Sequence, residues 1–84
     1  MAESGQAMTY RGMSKRDLTV AMTTWMKEVD HKGKALEALE ALSVIHRERG
    51  DQMPVKKVDA MAEARAQYVY AVRQVQLLRE AMGI

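Results

Sequence analysis

The chain is predicted to be all-α, an antiparallel helical hairpin with a bend near Gly33, and three observations predict it. Apolar residues recur at helical steps of 3 and 4 in both halves of the chain. The stretch Arg47–Pro54 reads as a helix stop, a short loop and a restart. The run Ala35–Leu42 between them is built from strong helix formers. A small three-helix bundle is the alternative that the same pattern allows. Either fold is expected to oligomerise.

Met1–Gly12 has no periodicity and two glycines, so residues 1–12 are expected to form a flexible arm ahead of a single helical domain, 13–84. Ser14 and Asp17 have the spacing of a capping box. Met13 and Leu18 stand where a hydrophobic staple would put them. The first helix, about 14–32, then carries the stripe Leu18, Met22, Trp25 and Val29. His31-Lys32-Gly33-Lys34 interrupts that pattern, and a glycine inside a helix costs about 1 kcal/mol relative to alanine. A second helix, about 34–49, follows. Its apolar centre is Ala35, Ala38, Leu39, Leu42 and Ile45, roughly 120° around the helix axis from the earlier stripe. Supercoiling absorbs about 20° per heptad. The remainder calls for a kink, a break, or two halves that face different partners.

Arg47, Arg49 and Gly50 form the stop: cations at the negative end of the helix dipole, then a residue free to turn left-handed. Pro54 opens the last helix, about 54–82, in the first turn, where proline is best tolerated. Its seam is Met61, Ala64, Tyr68, Ala71, Val75, Leu78 and Met82, a heptad pattern. Trp25 and Leu39 are expected to anchor the core against it.

That last helix is apolar on a second side as well, where Val69, Tyr70, Leu77 and Ala81 lie. One neighbouring helix cannot cover both. Val69, Tyr70, Leu77, Ala81 and Met82 are therefore the candidate partner-binding residues, unless a third segment folds back over Tyr70 and Leu77. Methionines on or beside the stripes (Met22, Met26, Met61 and Met82) suit adaptable packing in either case.

Composition narrows the function by exclusion. In 84 residues there is no cysteine, so disulfide frameworks and thiolate metal sites are out and a cytoplasmic chain is expected. The N-terminus does not read as a signal peptide. The longest apolar run, Tyr68–Val72, is too short for a bilayer, so neither secretion nor a membrane partner is expected. Two isolated histidines and no phosphate-binding glycine loop give no nucleophile–base pair, no evident small-molecule substrate and no cofactor. Glu28 and His31 have the Glu-x-x-His spacing of di-metal bundle sites, but only Glu63 could join them, and a solvated histidine is the expectation. His46, beside Leu42 and Ile45, is expected to be paired and packed. No metal site is expected.

Net charge is +2, all of it from Pro54 onward. Lys15-Arg16 and Lys56-Lys57 both fall in first helical turns, against the dipole. Gathered at one end of a three-helix bundle with Arg47 and Arg49, they would form an anion-binding end. In a hairpin they separate. The expectation is thus a non-enzymatic helical assembly or adaptor protein, such as a structural subunit of a larger particle (a virion, for example) or a small inhibitor docking on a larger protein. It would work in the cytoplasm or inside a particle assembled there. The alternative is a nucleic-acid-associated regulator using Lys15, Arg16, Lys56 and Lys57.

Overall fold

A computed structural model of the chain describes residues 10–84. Two α-helices pack against each other: α1, Lys15–Arg49, and α2, Val55–Met82. No strand occurs among the described residues. The helices run antiparallel. Lys15 and Leu18 lie beside Ala81 and Met82, Gly33 beside Tyr68, and Glu40 and Val44 beside Met61 and Arg65. The rod measures 52 × 25 × 18 Å, and its long axis is what 35 residues of α-helix span at 1.5 Å each.

α1 starts where the capping pattern places it. Ser14 is extended (φ −66°, ψ 159°) and its Oγ accepts the Asp17 backbone N–H at 3.2 Å. Thr19, Thr23 and Thr24 return their hydroxyls to the carbonyl four residues back, which satisfies them on an exposed face. At the far end Gly50 is left-handed (φ 77°). Its N–H reaches the Arg47 carbonyl, and the Asp51 N–H reaches that of His46. This six-to-one, five-to-two pair of bonds closes the helix. His46 Nδ1 and Asp51 Oδ1 meet at 2.5 Å across the same turn, so His46 is paired and largely covered.

The helices expected at 14–32 and 34–49 are one. α1 runs unbroken through Gly33. The physical reason is a contact: a Cβ on Gly33 would lie 3.2 Å from Cε1 of Tyr68, so the glycine is a notch for that ring. The helix therefore keeps one buried line. Leu18 and Leu36 are both buried, and 18 residues are five whole turns, which puts them on the same face. The centre Ala35, Ala38, Leu39, Leu42 and Ile45 does not follow that line. Ala35, Ala38 and Ile45 are exposed, and Leu39 and Leu42 are half-buried. Of the three readings of the offset, the break is overturned.

On α2 every residue of the heptad seam is buried or half-buried, with Ala71 and Leu78 deepest. Pro54 precedes the helix, extended at ψ 143°, and gives it no side-chain cap.

Of the expected arm, residues 1–9 lie outside the described part. Tyr10 is half-buried and helical, and the Met13 N–H closes a turn onto its carbonyl. Its side chain docks on α2, so the end of the arm belongs to the fold.

Candidate interaction surfaces

Tyr10 docks on α2 beside one of the predicted partner residues, Tyr70. Its hydroxyl donates to Oε1 of Gln74 at 2.5 Å, and Trp25 and Tyr70 stand close enough to alter its ionisation. Burial is the main influence and pushes the Tyr10 phenol above its ordinary range. A hydrogen bond from Trp25 opposes this, and the neighbouring Tyr70 adds to it. Trp25 and Tyr70 meet edge to face, with ring centroids 5.7 Å apart at 65°. Tyr10, just ahead of α1, therefore docks on α2 at Gln74, beside the Trp25–Tyr70 pair.

Among the residues expected to bind a partner, the structure buries Leu77. It is 2% exposed in the hairpin. Ala81 and Met82 are half-buried at the same end. Val69 and Tyr70, about two turns nearer the loop than Leu77, remain open at 59% and 51%. Trp25 and Leu39 are both half-buried, as flanks of the core. Gln74, buried beside Leu77 and Leu78, has an amide nitrogen without a hydrogen-bond partner among the described residues. Its position was readable: Ala71, Gln74 and Leu78 are spaced 3 and 4, so a polar residue stands inside the buried stripe. The partner at Tyr10 was not readable, because nothing periodic precedes Ser14.

Elsewhere apolar side chains lie open on several sides. The back of α2 carries Val55, Val58 and Val69, all exposed. On one side of the hairpin Met26 and Val29 face Val72 and Val75 across an open groove of about 310 Å³. On the other side a groove of about 450 Å³ runs from the Trp25–Tyr70 pair towards the loop, with Glu28, Lys32, Glu63 and Gln67 on its walls. Glu63 there accepts from Gln67 Nε2 at 3.1 Å. Glu28 and Glu63 share that groove while His31 is exposed away from it. No group of three or more His, Cys, Asp or Glu among the described residues could hold a metal ion.

The basic pairs are far apart. Lys15 and Arg16 sit at the start of α1, Lys15 beside Met82 and Ile84, whereas Lys56 and Lys57 sit in the first turn of α2 beyond the loop. The hairpin's length separates them, so they do not gather with Arg47 and Arg49 into one anion-binding end. None of the described helices is long and apolar enough to cross a membrane. Comparison of the chain with known protein families, curated proteins and solved structures finds no match.

Proposed function

We propose that the chain is a non-enzymatic helical assembly or adaptor protein, acting through protein–protein contacts on the open sides of its hairpin. The roles this covers are a structural subunit of a larger particle and a small inhibitor docking on a larger protein. The observation that carries the reading is how little the hairpin covers of itself. The chain exposes 6303 Å², where a compact monomer of 9.5 kDa exposes about 5000 Å². Its radius of gyration is 16.6 Å, against about 12 Å for a compact domain of this length. Part of that excess is apolar, with Val55, Val58 and Val69 exposed on the back of α2 and Val44 and Ile45 exposed on α1 towards the loop, and exposed apolar surface gathered on one side marks contact sites. Small scaffolds without disulfide or metal often complete their core by association.

The test is the size of the chain in its own cells at native level. After gentle lysis and gel filtration it should elute well above its monomer mass. Val58→Lys with Val69→Lys, both on the exposed back of α2, should release it without loss of helicity. A chain that elutes as a free monomer from native extract would overturn the reading.

A further inference from the structure

We infer that the C-terminal half of α1 is a self-pairing surface, and that its occupant is the same stretch of a second copy, laid antiparallel about a two-fold axis near Glu40. This rests on the assembly reading above and names its partner. Because α1 is unbroken, Ala35, Ala38, Leu42 and Ile45 form a single seam, spaced 3, 4 and 3 like the a and d positions of a coiled coil. Three of the four are exposed and Leu42 is half-buried, so the seam is free to take a helix.

The seam is graded in size. Its N-terminal members are alanines and its C-terminal members are leucine and isoleucine. Two copies running in parallel would set small against small and large against large, leaving a gap at one end and crowding at the other. Running antiparallel, Ala35 meets Ile45 of the partner copy and Ala38 meets its Leu42, and large fills small in every layer. The axis then brings the two Leu39 side chains towards each other on one flank and the two Ala41 side chains on the other.

Charge agrees with that orientation. Lys34 and Glu48 flank the seam on one side, and the antiparallel pairing sets each Lys34 beside Glu48 of the other copy, two opposite-charge contacts across the dimer. A parallel pairing sets Lys34 beside Lys34 and Glu48 beside Glu48. Lys34 already holds Asp30 at 3.1 Å with both side chains largely exposed, a weak contact that leaves it free to reach over. On the other flank Lys32 faces His46, whose ring is tied to Asp51. The two hairpins overlap only at their loop ends. The dimer is therefore a staggered rod about 75 Å long, and the short overlap makes it a weak, dilution-sensitive one.

The chain lacks cysteine, so one introduced thiol reports on the axis. Ala41→Cys, treated with a short bifunctional maleimide, should give covalent dimer in high yield, and Val20→Cys, exposed on the other half of α1, should give little. A size-swap then tests the layer without touching the fold, since Ala35 and Ile45 are exposed in the monomer. Ala35→Ile or Ile45→Ala should each raise the dimer dissociation constant at least about tenfold, a loss of about 1.4 kcal/mol. Combining them should restore the dimer, because the large and small partners have only exchanged sides. Small-angle scattering should give a maximum dimension near 75 Å at high concentration. Three outcomes would overturn the inference: a purified chain that is monomeric at every accessible concentration, a dimer indifferent to the swap, or equal cross-linking at Val20→Cys. A monomeric purified chain that is still held in a larger complex in native extract would remove this dimer and leave the assembly reading standing.

Discussion

At the open end of the hairpin, where α1 starts and α2 finishes, Leu18, Ala71, Gln74, Leu77 and Leu78 are all buried, whereas from Glu37 to Tyr70, around the loop, no residue is. Helix quality does not explain the difference. The loop end holds Ala35–Leu42, the best helix formers in the chain, and is closed by a well-bonded glycine turn. The open end holds three threonines and glycine at position 12. What differs is the number of segments. Two helices bury one line each. At the open end Tyr10, ahead of α1, adds a third contact by bonding Gln74 on α2. Helicity and burial are separate achievements here, and the region with the better helices has the poorer core.

The largest test of that contrast compares one kind of deletion in the two regions. Leu77→Ala removes a fully covered side chain and should cost about 2–5 kcal/mol, enough to unfold much of so small a protein. Leu39→Ala, half-buried at the other end, should cost about 1 kcal/mol in dilute monomer, since less surface is lost and water can enter the gap. Urea unfolding followed by circular dichroism measures both. Equal losses would mean the loop end is as well packed as the open end, and the comparison would fail.

A smaller effect isolates the third contact. Tyr10→Phe keeps the ring but leaves the buried Gln74 amide with no partner for either of its polar atoms, at a cost of about 1–3 kcal/mol. Adding Gln74→Leu should recover most of that, because an apolar pair in place of a polar one is close to neutral. The same phenol has a pH signature. Its value is raised in the folded chain, chiefly by burial. Above about pH 10 the unfolded chain therefore loses this proton first, and stability falls as pH rises towards the folded value. Below pH 10 the contribution is fully present. Tyr10→Phe should flatten that alkaline decline relative to the unaltered chain, in melts compared between pH 9 and 11. An unchanged slope would mean that the phenol is not covered.

These particulars show what was legible in the chain. Both seams were, because 3–4 spacing fixes which side of a helix is apolar whatever packs there: Leu18 to Val29 and Met61 to Met82 are all buried or half-buried. The antiparallel pairing followed from a short loop. The burial of Leu77 was not legible, because periodicity says that a face is apolar and is silent on what covers it. Tyr10, in an aperiodic segment, reaches Gln74 on the same helix, and tertiary contact of that kind leaves no local trace. The placing of Val69 and Tyr70 on open surface needed only the wheel.

Gly33 gives the finest comparison, since it lies where the two regions join. Read locally, a glycine amid helix formers marks a weak point. In the folded chain it marks the closest approach of α1 to the Tyr68 ring. Gly33→Ala therefore sets two terms against each other. Alanine gains about 1 kcal/mol of helix propensity. Its methyl carbon, 3.2 Å from Tyr68 Cε1, asks the ring to move by a few tenths of an ångström. Tyr68 is half-buried on the wall of an open groove beside Asp30, Lys34 and Glu37, so the ring has room to give way. The net change should lie within about 0.5 kcal/mol of zero. With Tyr68→Ala as background the clash is gone, and the same substitution should stabilise by the full ~1 kcal/mol. The cycle between the four chains, read from thermal unfolding, gives the coupling directly. A coupling near zero would make Gly33 an ordinary weak point in the helix. One above about 2 kcal/mol would mean that Tyr68 is held as firmly as the buried leucines, and that close packing extends past Gly33 towards the loop.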